Sequence, residues 1–161
     1  MSVRILTLVT LLMISQPVPA QEPTPYGSSI TFEQAKKLLA AAEAEALKQK
    51  WPVAIAIVDT AGHLVAFQKL DNTQIGSIEI AQAKAKSAAL FRRPTKAFED
   101  LLAMGGANLR ILKLPDAFPV EGGIPIIVDG KVIGAIGVSG VKSGEDAQVA
   151  QAGIDALKPK P

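Results

Sequence analysis

Hydrophobic positions along the chain change from helical to strand spacing and back, and these changes predict the order of the elements. Between Ala35 and Ala46 the apolar residues recur every three or four positions, as on one face of a helix. Residues 31–34 read Thr-Phe-Glu-Gln, which has the form of a capping box, and Pro52 cannot continue a helix. The pattern therefore predicts a first helix that starts after this box and ends near Lys50.

Two pairs of apolar runs predict two β-hairpins. Residues 53–59 and 63–70 flank a Thr-Ala-Gly turn. Residues 124–128 and 131–139 flank Asp-Gly, which is the strongest short-range hairpin signal. Both hairpins are too apolar to face water, so we expect helices to cover both faces of the antiparallel sheet that they form.

Three further helical segments complete the pattern. Residues 78–91 predict an Ala-rich helix that an Arg-Arg-Pro tripeptide ends, and Thr95 is predicted to cap a short helix reaching Met104. Residues 107–120 contain two prolines and are predicted to be irregular, whereas a last helix begins at Ser143. Its buried face is predicted to hold Ala147, Ala150, Ile154 and Leu157. The whole order predicts an α+β fold, a helix–sheet–helix sandwich around an antiparallel sheet of two hairpins.

The first twenty residues have the features of a secretory signal peptide. Arg4 precedes an apolar run at 5–14, which is too short to span a bilayer. Small residues at Val18 and Ala20 place the expected cleavage before Gln21. We therefore expect a periplasmic or secreted protein that keeps no membrane attachment after cleavage.

Composition narrows the function of the remaining chain. We expect a flexible N-terminal arm at 21–29, one domain at 30–157 and a tail at 158–161. The formal net charge is +2 for the full sequence and +1 without Arg4, which gives no electrostatic footprint for nucleic acid. The chain contains no cysteine, so disulfides, thiolate metal sites and cysteine nucleophiles are excluded.

The glycine-rich segment 122–140 is not a phosphate-binding loop. In a P-loop, lysine follows the last glycine directly, but here Val141 intervenes. The glycine spacing also differs from that of a dinucleotide fingerprint, and the segment follows a hairpin strand. Two interpretations stay open. In one, a flat ligand or a partner backbone lies against Gly122-Gly123; in the other, strand glycines relieve crowding against a helix or another subunit, namely Gly134, Gly137 and Gly140.

Four blocks of the sequence together resemble the GlcG/HbpS-like family, which is also the C-terminal module of PduO-type corrinoid adenosyltransferases. The blocks are AIVDTAGHLVAFQKLDN, IAQAKAKSAALFRRPT, GGIPIIVDGKVIGAIGVSG and GEDAQVAQAG. They cover roughly residues 30–157 in the family's order and spacing. The resemblance implies a profilin-like sandwich and a homo-oligomer.

The resemblance also implies a function. It indicates an exported haem-binding protein that takes part in haem handling or redox sensing, with a corrinoid as the alternative cofactor and a sensor or enzyme as partner protein. The alternatives are an enzyme of the same family that degrades haem or acts on a small metabolite, and a ligand-free accessory oligomer. A threonine ligates the haem iron of a sensor-type member, but residues 107–121 contain no Thr, His, Tyr or Met.

Two side chains are candidate iron ligands. His63 is the only histidine, which excludes a multi-histidine metal site but allows a haem axial ligand. The alternative is an exposed hairpin residue. Met104 offers a thioether, or it is a core filler at a helix end. A Ser-His-Asp triad from His63 with Ser139 or Ser143 is formally open, although no nucleophile elbow is present.

Charged residues provide further candidates. Arg92 and Arg93 are placed to pair with the propionates of haem, or else they are solvated. Together with Gly122 and Gly123 they complete the candidate cofactor site. Separately, Lys84 matches a family motif and falls one step off the alanine face of its helix, so it is expected to face solvent or to reach an acidic partner such as Asp59 or Glu145. Glu145 and Asp146 complement the positive end of the last helix.

Overall fold

The computed structural model describes residues 22–158, so the predicted signal peptide and its cleavage site lie outside the described residues. Within them, no helix has both the length and the apolar character needed to cross a membrane. The elements in chain order are α1 (Phe32–Gln49), β1 (Ala54–Val58), β2 (Leu64–Lys69), α2 (Ser77–Phe91), α3 (Lys96–Ala103), a 3₁₀ helix (Gly106–Lys113), β3 (Gly123–Val128), β4 (Lys131–Ser139) and α4 (Ser143–Asp155).

The sheet has the order β2-β1-β4-β3, and all neighbouring strands are antiparallel. Helices α1 and α4 pack together over one face, while α2 lies across the other. This confirms the predicted helix–sheet–helix sandwich built from two hairpins. The inner strands β1 and β4 are covered on both sides, which explains why their sequences read as continuous apolar runs.

The predicted helix cap is present at the beginning of α1 and absent at the beginning of α3. Thr31 and Gln34 form the predicted capping box, with each side chain accepting from the other's backbone N–H. Thr95 precedes α3 but makes no capping hydrogen bond there, so that prediction is wrong. Its hydroxyl instead accepts from the N–H of Gly123 at 3.0 Å, because the open edge of β3 lies beside it.

The segment predicted to be a flexible arm is anchored to the sheet from Pro25 onward. The N–H of Gly27 donates to the carbonyl of Val132 at 2.8 Å, and Val132 donates back to Pro25 at 2.9 Å. The Tyr26 hydroxyl also bonds two carbonyls at the end of α2. The pairing of β1 with β4 stops short of Val132, so the arm satisfies backbone groups that the sheet leaves open.

The two faces of the sheet are filled by side chains of different size. Branched aliphatic residues such as Ile55, Ile57 and Ile136 meet α1 and α4. Almost only alanine lies between the sheet and α2. The backbone of α2 therefore approaches closely, and a Cβ on Gly137 would overlap the carbonyl of Ala81. For this glycine the crowding interpretation is confirmed.

One buried ion pair joins α2 to the start of α4. The Lys84 side chain is 2% exposed, and its Nζ donates to Asp146 Oδ2 at 2.8 Å and to the carbonyl of Val138 at 3.0 Å. The alternative that Lys84 faces solvent is therefore wrong. The alternative of an acidic partner is confirmed, although that partner is Asp146 rather than Asp59 or Glu145. The residue lies between alanines three positions before and four after it, which places it on their face.

The acidic pair of α4 divides into an inner and an outer residue. Burial raises the pKa of Asp146, and the hydrogen bond and charge of Lys84 only partly offset that effect. Glu145 points outward, where its carboxylate accepts from the N–H of Lys142 at 3.1 Å. The predicted buried face of α4 is thus displaced: its buried residues are Asp146, Val149, Ala150 and Gly153.

Replacement of Gly137 by alanine is expected to destabilise the protein by about 1–3 kcal/mol, because the new methyl group meets the backbone of α2. Urea unfolding measures this change. The matched control is Gly144→Ala, whose new Cβ has its nearest neighbour at 3.8 Å and which should be neutral or slightly stabilising. Equal stability of the two variants would contradict the close approach.

Replacement of Lys84 by methionine is expected to cost about 3–5 kcal/mol at neutral pH, because it leaves a buried carboxylate without its cation. The loss should shrink in acid. Burial already raises the pKa of Asp146 with Lys84 beside it, and loss of that cation removes an influence that lowers this pKa. The folded variant thus binds a proton more tightly than the folded wild type or the unfolded chain. Its stability therefore rises as the pH falls through that raised pKa.

Urea unfolding at neutral and mildly acidic pH tests this expectation. The control is Lys86→Met, which removes a lysine whose ion pair with Asp116 is 44% and 43% exposed. Such a surface pair contributes about 1 kcal/mol or less. A loss for Lys84→Met as small as that of the control, or one that grows in acid, would show that the buried pair is not needed.

Candidate functional site

A groove of about 620 Å³ lies where the end of α2 meets β3 and the anchored arm. Its volume is within the range of small-molecule sites. Its lining combines an apolar surface with two cations and comprises Glu22, Pro23, Thr24, Phe91, Arg92, Arg93, Pro94, Ala97, Ile124, Pro125 and Ile127. A second cleft of about 490 Å³ lies beside Trp51 and contains none of the predicted site residues. The first groove is therefore the candidate site.

Arg92 is held in place at the end of α2. Its backbone takes the left-handed conformation that closes the helix, with φ at 52°. Its Nη1 donates to the carbonyl of Thr24 at 3.1 Å, and its guanidinium stacks over the ring of Tyr26 at 5.0 Å. Among residues 22–158 these contacts use one of the five N–H donors, which leaves the others available to bind an anion.

Arg93 is fixed by aromatic residues on the other side. Its guanidinium lies 5.5 Å from the centre of the Phe98 ring, and its Nε donates to the carbonyl of Phe91 at 3.2 Å. The two phenyl rings meet edge to face at 5.0 Å. The structure thus brings both predicted arginines together at the rim of one apolar groove.

The two predicted glycines are covered by other residues of this chain. Gly122 and Gly123 are buried, and a Cβ on Gly122 would lie 2.8 Å from the Nζ of Lys84. A Cβ on Gly123 would lie 2.7 Å from the Cγ2 of Thr95. These side chains fill the space in which the sequence interpretation placed a flat ligand or a partner backbone. The glycines instead begin the strand that forms one wall of the groove.

His63 lies apart from the groove in the turn between β1 and β2. Its side chain is 81% exposed, and its Nδ1 is 3.4 Å from a carboxylate oxygen of Asp59. Burial acts to raise the pKa of Asp59, but hydrogen bonds from the N–H groups of His63 and Ala61 outweigh it and lower that pKa. Asp59 therefore organises the turn and leaves the imidazole open to solvent.

Met104 also lies outside the groove, and it is not a core filler. It is 68% exposed at the end of α3. That alternative of the sequence interpretation is wrong, because α3 buries little more than Phe98. Neither candidate iron ligand therefore shares a site with the two arginines.

The formal triad does not form. Ser139 pairs with Ala54 at one end of β1, whereas His63 follows the opposite end of that strand. The Ser139 hydroxyl is buried against that of Ser77 at 3.1 Å. Ser143 begins α4 at the same end of the sheet as Ser139. Among residues 22–158 there is also no group of three or more metal-ligating side chains that could hold an ion.

For two buried residues that hold these elements together, Asp146 and Thr95, the bonding partners were not identified from the sequence. Asp146 carried a usable signal, because it lies three, four and seven positions before Val149, Ala150 and Gly153 on one buried face. Thr95 carried no such signal. Its partner Gly123 is 28 positions away, and only the folded sheet edge brings them together.

Comparisons with known proteins agree with the fold and with the sequence blocks. The family model described as haem degrading protein HbpS-like matches residues 30–155. Protein GlcG of Escherichia coli K12 is 41% identical over 110 residues, which cover 68% of this chain and 81% of GlcG.

Two solved structures share the architecture. A double mutant of HbpS from Streptomyces reticuli superposes with a TM-score of 0.75 at 29% identity, covering 91% of this chain and 99% of that one. A PduOC:heme complex superposes with a TM-score of 0.74 at 27% identity, covering 80% of this chain and 95% of that one. The chain therefore belongs to the HbpS-like family, as its four sequence blocks indicated.

Proposed function

We propose that this protein binds a haem-type tetrapyrrole in the groove, with the ring on the apolar wall and the propionates on Arg92 and Arg93. The observation that carries the proposal is the pair of restrained guanidinium groups at the rim of an apolar surface. Charge-assisted bonds from arginine to carboxylate are among the strongest in proteins. The family and the haem complex of PduOC support the choice of ligand.

The lining of the groove suits the porphyrin ring of haem, but it provides none of the usual axial ligands for the iron. Phe91, Ile124, Pro125 and Ile127 provide the apolar contact that a macrocycle needs. No His, Met or Tyr is among the lining residues, and Thr24 and Glu22 are their only hydroxyl and carboxylate. When bound, haem supplies a redox-active iron; the residues of this chain bind and orient the ring.

The arginine pair also favours haem over the corrinoid alternative. Haem carries two carboxylates at one edge, whereas the side chains of a complete corrinoid end mainly in neutral amides. An arginine gains more from a carboxylate than from an amide, because both partners are charged.

A hemin titration followed by the Soret band tests the proposal. We expect saturable binding by the wild type. The double variant Arg92→Gln, Arg93→Gln should bind at least about tenfold more weakly, because each lost charged bond contributes about 1.5 kcal/mol or more. The matched control is Arg110→Gln, which removes an exposed arginine of the 3₁₀ helix and should leave binding unchanged.

A second variant separates the groove from the hairpin. His63→Ala should leave the Soret shift intact, since the imidazole lies outside the groove. Loss of the shift in His63→Ala together with normal binding by the arginine variant would move the site to the hairpin. Absence of any saturable shift in the wild type would reject haem as the ligand.

We further propose that the protein self-associates through the 3₁₀ helix. Leu109 and Leu112 are 53% and 61% exposed, and residues three apart share one face of such a helix. Met104, five positions before Leu109 at the end of α3, is 68% exposed. These neighbouring apolar side chains support a protein–protein contact.

Light scattering tests the self-association. Leu109→Ser with Leu112→Ser should lower the particle mass of the wild type, because the change removes the apolar contact. The control is Ile75→Ser, at an 85% exposed residue in the loop before α2. An unchanged mass in the double serine variant, or an equal decrease in the control, would refute this interface.

A further inference from the structure

We infer that Thr95 is a positioning residue that sets the spacing between the two walls of the groove and thereby its preference for a carboxylate-bearing ligand. The inference rests on the proposed function of the groove. One wall is the Arg-Arg-Pro segment that directly precedes Thr95. The other wall starts with Ile124, directly after Gly123.

A reciprocal pair of hydrogen bonds, here called the Thr95–Gly123 latch, joins the walls at their base. The N–H of Thr95 donates to the carbonyl of Gly123 at 2.9 Å. The N–H of Gly123 donates to the Thr95 hydroxyl oxygen at 3.0 Å. Because β3 is an edge strand, its outer backbone groups at Gly123 have no neighbouring strand, and the threonine takes that place.

The latch is rigid because both of its ends are confined. Thr95 is fully buried, and it follows Pro94, whose ring fixes its own φ and restricts the backbone of the preceding Arg93. Gly123 lies beneath the backbone of Lys84 and allows no side chain. A shift of Thr95 relative to Gly123 therefore moves the two arginines relative to the apolar wall.

The chemical consequence is selectivity. A flat ligand reaches the apolar wall and the guanidinium groups together only when the two walls keep the right spacing. Hemin, which carries two carboxylates, should gain from this arrangement more than its dimethyl ester does. The ratio of the two dissociation constants therefore measures the position of the arginines, whereas a general loss of stability weakens both ligands alike.

The test compares hemin and hemin dimethyl ester in one detergent-containing buffer. Thr95→Val keeps the side-chain shape but leaves the buried N–H of Gly123 without an acceptor. We expect its preference for hemin to fall by about fivefold or more relative to wild type. Thr95→Ser keeps the hydroxyl and should restore the preference. The control, Thr73→Val, removes another buried hydroxyl, which bonds the carbonyl of Leu70 away from the groove.

The outcomes distinguish this inference from the proposed function. If wild type binds both ligands equally or neither, the proposed function fails. If wild type prefers hemin and Thr95→Val loses affinity for both ligands in proportion, Thr95 is only structural and the inference is overturned. Should the valine variant fail to fold, Thr95→Ala gives the same comparison without added bulk. Failure of both to fold would also reject a positioning role.

Discussion

The close approach of α2 to the sheet is the constraint on which the rest of the structure depends. Alanine on both surfaces and glycine at position 137 bring a helix backbone almost onto the strands. At that distance the carbonyl of Lys84 lies directly over Gly123, and its ammonium group reaches across to α4. A larger residue on either surface would separate the layers, break the ion pair and open the groove at its base.

Polar contacts then convert this packing into a defined site. Buried ionic groups contribute little net stability compared with apolar packing, but breaking one partner is costly. The contacts of Lys84 with Asp146 and Val138 therefore form only when the sheet, α2 and α4 are packed in one relative position. The Thr95–Gly123 latch then fixes the position of the two arginines relative to these packed elements. The groove is well defined although it lies at the edge of the sheet, where strands are usually free to vary.

Much of the fold was predictable because its signals are local. Asp-Gly between apolar runs predicts the second hairpin, and β4 has the predicted bounds, 131–139. The anchored arm was not predictable, since residues 25–27 show no periodicity and are ordered by open backbone groups of β4. For the candidate site, the charge of Arg92 and Arg93 made them candidates, and both line the groove. The partners of Lys84 and Thr95 lie 62 and 28 positions away, and no local pattern encodes such distances.

The anchored arm is a part of the groove that can vary between related proteins independently of the core. The family match begins at residue 30, yet Thr24 and Tyr26 hold Arg92 in place and the arm lines one side of the groove. Part of the candidate groove is thus encoded outside the segment that defines the family. Selection can reshape that rim residue by residue while the shared core is left untouched. Proteins with the same scaffold are therefore free to acquire different ligand preferences through the residues that directly precede the shared domain.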